Sequence, residues 1–162
     1  MTHVVVVGAG QAGLALVARL RADGFSGRIT LIGAEPHPPY QRPPLSKAYL
    51  LGEMPQERLY LRPESFYADQ GIDLRLGSPV AAIDTGRRVA VLETGAEIAY
   101  DELVLATGSA PRRLPAAIGG DLDGVFTMRD IRDADALAPL MAPGRRARRR
   151  QPQIQCSASG HD

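Results

Sequence analysis

Six residues near the amino terminus, Gly8, Ala9, Gly10, Gln11, Ala12 and Gly13, have the spacing GxGxxG. The chemistry that spacing can do is to hold the diphosphate of a dinucleotide. The first glycine permits a tight turn, the second lets a pyrophosphate approach bare backbone, and the third lets a helix pack close to a strand. The phosphates then rest on free N–H groups at the positive end of that helix. Glycines alone are weak evidence. Here they follow the β-branched run "HVVVV", open a helical pattern and are followed about 20 residues later by Glu35, an acid suited to a ribose hydroxyl. An acid at that point disfavours a 2′-phosphate, so NADP is the poorer fit, while FAD and NAD both stay open.

Further chemistry lies in the stretch "HPPYQRPPLSK", residues 37–47, with four prolines around Arg42 and Lys47. Proline fixes its own φ near −65° and pushes the preceding residue out of helix, so this backbone is stiff and irregular. It would hold both cations in definite places. A third element is "ELVLATG", an apolar strand running into Ala106, Thr107 and Gly108, and a fourth is Arg129 just ahead of Asp130. The single cysteine, Cys156, excludes an internal disulfide framework and any CxxC redox or zinc pair. No metal set is expected, and redox chemistry would need a bound cofactor.

These residues need a scaffold. Strand, glycine turn, helix and the strand "RITLI" make a βαβ unit, its helix carrying Leu14, Val17, Ala18 and Leu20 on one face and ending at Gly24 and Gly27. A helix-compatible stretch "LSKAYLLG" follows the proline loop, and another helix begins near Pro63 and stops at Gly71. Then come a strand with Leu74 and Leu76 and an antiparallel meander over residues 80–100. "ELVL" reads as a further parallel strand, and a last helix runs from an Asp130 N-cap to about Met141. The fold class expected is α/β: a Rossmann-like dinucleotide-binding domain with a parallel sheet plus a small antiparallel β-meander. Ligands of open α/β sheets bind beyond the carboxyl ends of the strands, so the glycine turn, Glu35, Thr107 and Gly108 would share one rim.

At 162 residues one domain is expected, and a net charge of +1 gives no reason to expect nucleic acid or an anionic membrane as partner. No apolar run approaches the roughly 20 residues of a membrane span, and "MTH" lacks a basic signal region, so the cytoplasm is the expected location. The domain is expected over residues 1–143. Residues 144–162 form a basic tail with five arginines in residues 145–150, too poor in apolar content to fold and without aromatic residues for stacking on bases.

Taken together, "VVVVGAGQAGLALVARLRADGFSGRITLIGAEPHPPYQRPPLSKAYLLG" and "YDELVLATGSAPRRLP" resemble the FAD-binding start of ferredoxin reductases of the putidaredoxin- and rhodocoxin-reductase type. The resemblance covers roughly residues 3–142, and "PYQRPPLSK" is its most specific part. It implies that electrons pass from NADH through FAD to an iron–sulfur ferredoxin, and it selects FAD over NAD at the glycine turn. It also implies roles for single residues. Gly8, Gly10, Gln11, Ala12 and Gly13 would form the pyrophosphate turn, with Gly10 and Ala12 in contact. Glu35 would hold the adenosine ribose and Val80 touch the adenine. Arg42 and Lys47 would reach the cofactor from the loop, Lys47 as the catalytic cation beside the flavin. Ala106, Thr107 and Gly108 would line the site, and Arg129 would approach the diphosphate. A cation beside the flavin favours its reduced form, and a stiff loop fixes it at low ordering cost. One departure is that relatives often carry Asp-Glu where this chain has Ala34-Glu35.

Members of that family are more than twice as long, with a second glycine fingerprint for NADH that has no counterpart here. Their FAD domain is completed by strands that follow the NADH domain. The change of composition at residues 145–148 therefore suggests a truncated or frameshifted product, with weak FAD retention and little activity alone. A non-catalytic dinucleotide-binding fragment is the alternative.

Overall fold

The computed structural model describes residues 1–141, so the basic tail expected over residues 144–162 lies outside the described residues. Four parallel strands form the main sheet: β1 (His3–Val7), β2 (Arg28–Ile32), β3 (Ile72–Arg75) and β7 (Glu102–Leu105), in the order β3-β2-β1-β7. The register sets Val4 of β1 against Ile29 on one side and Glu102 on the other. β1 is central and covered on both faces, which is why it reads as an unbroken valine run instead of an alternating one.

Successive side chains of a strand point to opposite faces, and the two sets of valines serve two cores. Val4 and Val6 pack with Leu14 and Val17 of α1 (Gln11–Ala22) and with Tyr67 of α2 (Ser65–Asp69). Val5 and Val7 pack under the meander of β4 (Val80–Asp84), β5 (Val89–Leu92) and β6 (Glu97–Ala99), meeting Leu92 and Ile98. The meander is antiparallel in the order β4-β5-β6. The α/β class, the parallel sheet and the separate meander are as the sequence indicates.

A third cluster fixes the proline loop. Tyr40 and Leu45 pack on Leu59 and on Ile131 and Ala134 of α3 (Ile131–Leu137). The backbone is pinned at Gln41 N–H to Leu59 C=O, 2.9 Å, and Leu61 N–H to Pro39 C=O, 2.9 Å. The helix-compatible stretch after the loop forms only a 3₁₀ turn, Pro43–Ser46, and then irregular turns. α3 likewise ends at Leu137 and passes into a 3₁₀ turn, short of the expected Met141, because Pro139 lacks the N–H and its ring crowds the preceding turn.

β7 stands at the sheet edge. Among the described residues nothing pairs with its outer side, and Leu105 is 60% exposed there.

Candidate functional site

The glycine turn joins β1 to α1 at the carboxyl end of the sheet. Gly8 has φ of +119°, a conformation that side chains rarely tolerate, and a Cβ built on it would lie 2.2 Å from the Ala106 carbonyl oxygen. Its N–H donates to Ile32 C=O at 2.8 Å, and Ala106 N–H donates to Val7 C=O at 2.7 Å. The turn is thus gripped by the ends of both neighbouring strands. A Cβ on Gly13 would fall 2.1 Å from the Gly8 carbonyl oxygen, so the helix can lie this close only with glycine there. Gly33 does the same on the other flank: its Cβ would sit 2.7 Å from that of Ala9. Sequence reasoning passed over Gly33, although a glycine directly after a buried strand is a readable sign of close backbone approach.

Gly10 behaves differently. It is the N-cap of α1, and nothing lies within 4 Å of the Cβ it lacks. No side chain caps this helix, so the first-turn N–H groups have no side-chain acceptor. Gln11 and Ala12 are exposed. Two glycines hold the turn shut against the sheet, and the third opens bare backbone outward.

Glu35, beyond β2, is half-buried, and both its carboxylate oxygens are held. The Tyr40 hydroxyl donates to Oε2 at 2.5 Å, and Arg42 Nη2 donates to Oε1 at 2.6 Å. Arg42 Nη1 also donates to the Arg129 carbonyl at 2.5 Å, and the Arg42 guanidinium lies 5.0 Å from the centre of the Tyr40 ring. Burial first, and then the bond to Glu35, pushes the Tyr40 hydroxyl above its ordinary titration range, so it remains a donor. Ala34 is exposed, and of the Ala34-Glu35 pair it is the second residue that carries the anchored carboxylate.

Arg129 has its own anchor. Its N–H donates to Asp133 Oδ2 at 2.6 Å, within a capping box in which Asp130 accepts from Asp133 N–H at 3.0 Å. Burial raises the Asp130 carboxyl, but the Asp133 N–H and Arg132 outweigh it, so its pKa lies below the usual value. The Arg129 guanidinium reaches Gly108, where a Cβ would stand 3.1 Å from Nη2. Gly108 itself has φ of +70°.

The structure therefore brings Gly8 and Ala106, Glu35 and Arg42, Arg42 and Arg129, and Arg129 and Gly108 into contact. Thr107 is exposed beside Gly8, its nitrogen 2.9 Å from the built Cβ. Val80 lies at the start of β4, packed on the Val5, Val7 and Ile32 cluster. Lys47 closes the 3₁₀ turn through its own N–H to Pro44 C=O, and its side chain is exposed. Tyr40 was missed in the sequence; an aromatic enclosed by prolines, five residues past the acid, was the available signal.

The sequence pattern of the pyridine nucleotide-disulphide oxidoreductases matches residues 2–149. The chain belongs to that family. Within it, the chain is 46% identical over 139 residues to rhodocoxin reductase of Rhodococcus erythropolis, covering 86% of this chain and 32% of that one. It is 44% identical to a rubredoxin-NAD(+) reductase of Pseudomonas putida, covering 83% and 34%. Among solved structures it superposes on the covalent putidaredoxin reductase–putidaredoxin complex with a TM-score of 0.79 and 42% identity, covering 86% and 34%. These family members are named reductases, and the chain spans about a third of their length.

Does the site fit the cofactor expected of it? An open cradle at Gly10, an uncapped helix start, a carboxylate with acceptor capacity to spare and an arginine at the rim suit a ribose diphosphate. The residues present fit. No helix of the described residues is long and apolar enough to cross a membrane.

Proposed function

We propose that residues 1–143 are the FAD-binding part of an NADH-dependent ferredoxin-reductase-type flavoprotein of the cytoplasm. The observation that carries this is the Gly8, Gly10, Gly13 turn, sealed at two glycines and open at the third, at the uncapped start of α1. In this reading Gly10, Gln11 and Ala12 offer backbone N–H groups to the pyrophosphate, and Gly8 and Gly13 keep them in place. Glu35 accepts from the adenosine ribose, Val80 borders the adenine, and Arg129 with Thr107 and Gly108 closes the phosphate side. Ala106 sets that loop against Gly8. Arg42 serves from the proline loop, and Lys47 is the cation for the flavin end.

Bound flavin supplies the hydride-accepting and electron-passing chemistry that no side chain here possesses. The protein's contribution is binding, orientation and charge. In the whole reductase the electrons would come from NADH and leave to an iron–sulfur ferredoxin. Because the chain spans a third of its relatives, this piece alone is proposed to have little turnover, and a non-catalytic dinucleotide-binding fragment is the second reading.

The test is titration of the purified chain with FAD, followed by flavin fluorescence and visible absorbance. Weak but saturable quenching of added FAD is expected, together with negligible NADH oxidation. A colourless chain that takes up no added FAD would refute the cofactor assignment. Turnover of NADH by this chain alone would refute the proposed inactivity.

A further inference from the structure

We propose that Arg42 is a positioning residue, a strut that ties the ribose-side carboxylate of Glu35 to the phosphate-side Arg129, so that each end of the cofactor site sets the geometry of the other. The inference rests on the FAD reading for its ligand, but its geometry stands without one. Both terminal nitrogens of Arg42 are committed within the protein, Nη2 to Glu35 at 2.6 Å and Nη1 to the Arg129 carbonyl at 2.5 Å. A guanidinium is a planar, rigid fork, so the two bonds fix Glu35 and Arg129 relative to one another across 94 residues of sequence (129 − 35). The Tyr40 ring supports the fork from one face.

Each end of the strut is itself anchored. Tyr40 takes the second oxygen of Glu35, and the Arg129 N–H is held by Asp133. A carboxylate has about four acceptor positions, so two filled by Tyr40 and Arg42 leave capacity for ribose hydroxyls. On the far side the Arg129 guanidinium rests over Gly108 and is the arginine available to the diphosphate. These bonds use two of the five N–H groups of Arg42, and through them it arranges the ribose-side and phosphate-side contacts. The ion pair is about two-thirds buried on both sides, which spares it much of the screening that weakens surface pairs.

Two measurements on the 162-residue chain decide this. The first needs no ligand: amide hydrogen exchange over residues 129–134 in wild type, Arg42→Met and Arg42→Lys. Arg42→Lys keeps a cation over Tyr40 but cannot span both partners, which guards against simple unfolding. Both variants are expected to raise exchange there at least about fivefold while β5 stays protected. Unchanged exchange in both variants overturns the strut. The second is a double-mutant cycle in FAD affinity between Glu35→Gln and Arg129→Met. The two should be non-additive by about fivefold or more in the wild-type background and additive in Arg42→Lys. Additivity with Arg42 present, or coupling that survives its replacement, also overturns the strut, since a merely structural role would not make coupling depend on Arg42. A wild-type chain that binds no FAD overturns the cofactor reading instead, and the exchange result then decides the strut alone.

Discussion

A Cβ on Gly13 would stand 2.1 Å from the Gly8 carbonyl oxygen, backbone against which no side chain can yield. Gly10, three residues earlier, faces open space. One motif therefore contains two kinds of glycine, and substitution separates them. Gly13→Ala should cost about 3 kcal/mol of stability by overpacking, read as a lowered urea midpoint. Gly10→Ala should cost no more than about 1 kcal/mol, the price of a poorer N-cap. It should nevertheless weaken FAD binding tenfold or more, about 1.4 kcal/mol. Equal midpoints for Gly13→Ala and wild type would contradict the packing argument.

Tyr40 and Tyr67 make a second contrasting pair. Both are buried, but the Tyr40 hydroxyl donates to Glu35 while the Tyr67 hydroxyl has no partner among the described residues. Tyr40→Phe removes a charge-assisted bond and should cost about 2 kcal/mol. Tyr67→Phe removes an unsatisfied polar atom from the core and should be neutral or stabilising by up to about 1 kcal/mol. Denaturant titrations should show a lowered midpoint for Tyr40→Phe and an unchanged or raised one for Tyr67→Phe. A Tyr67→Phe loss as large as that of Tyr40→Phe would show that its hydroxyl is satisfied.

The same groups set an alkaline limit. Burial is the leading cause that raises Tyr40, and it pushes Tyr49 and Tyr67 up to about 12 from the ordinary 10.0. A raised folded-state value means that the unfolded chain loses its proton first. The contribution is fully present below pH 10.0 and declines as pH rises through the folded-state values. The urea midpoint should therefore fall between about pH 10 and pH 12, and less steeply in Tyr67→Phe. A midpoint that stays level across that interval would argue against the shifts.

The glycine turn, the parallel strands and the meander were legible because each rests on local pattern: GxGxxG between a valine run and a helix, and alternation between turn residues. The Asp130 cap was legible for the same reason. What could not be read was the pairing of distant groups. Nothing local says that Arg42 would turn to Glu35 and Arg129, because the contact depends on how the Tyr40, Leu45 and Ile131 cluster seats the loop against α3. The length of α3 was overestimated where Pro139 intervenes, although the breaking residue was itself in view.

Asp130 links that legible cap to the site. Its carboxylate accepts from Asp133 N–H, and Asp133 in turn holds the N–H of Arg129. Asp130→Ala should cost about 1 kcal/mol and fray the first turn of α3. Its depressed pKa means that the stabilisation is present above the ordinary 3.8 and is lost as pH falls through the lower folded-state value. The acid side of the stability profile should thus flatten in the variant below about pH 4. An identical acid limb in both proteins would remove Asp130 from that role.

The outer edge of β7 yields the last expectation. Its N–H and C=O groups have no strand beside them among the described residues, and Leu105 is 60% exposed at its end. Leu114, Ile118, Leu122, Val125 and Phe126 are also exposed in the segment that follows. An open parallel edge beside apolar side chains is a template for unwanted strand addition, and natural edges are commonly protected by lysine. The chain on its own should associate with rising concentration. Leu105→Lys should reduce that association without changing the urea midpoint by more than about 0.5 kcal/mol, because the side chain is exposed. Light scattering across a concentration series measures it. Association that is unaffected by Leu105→Lys would place the sticky surface elsewhere than the β7 edge.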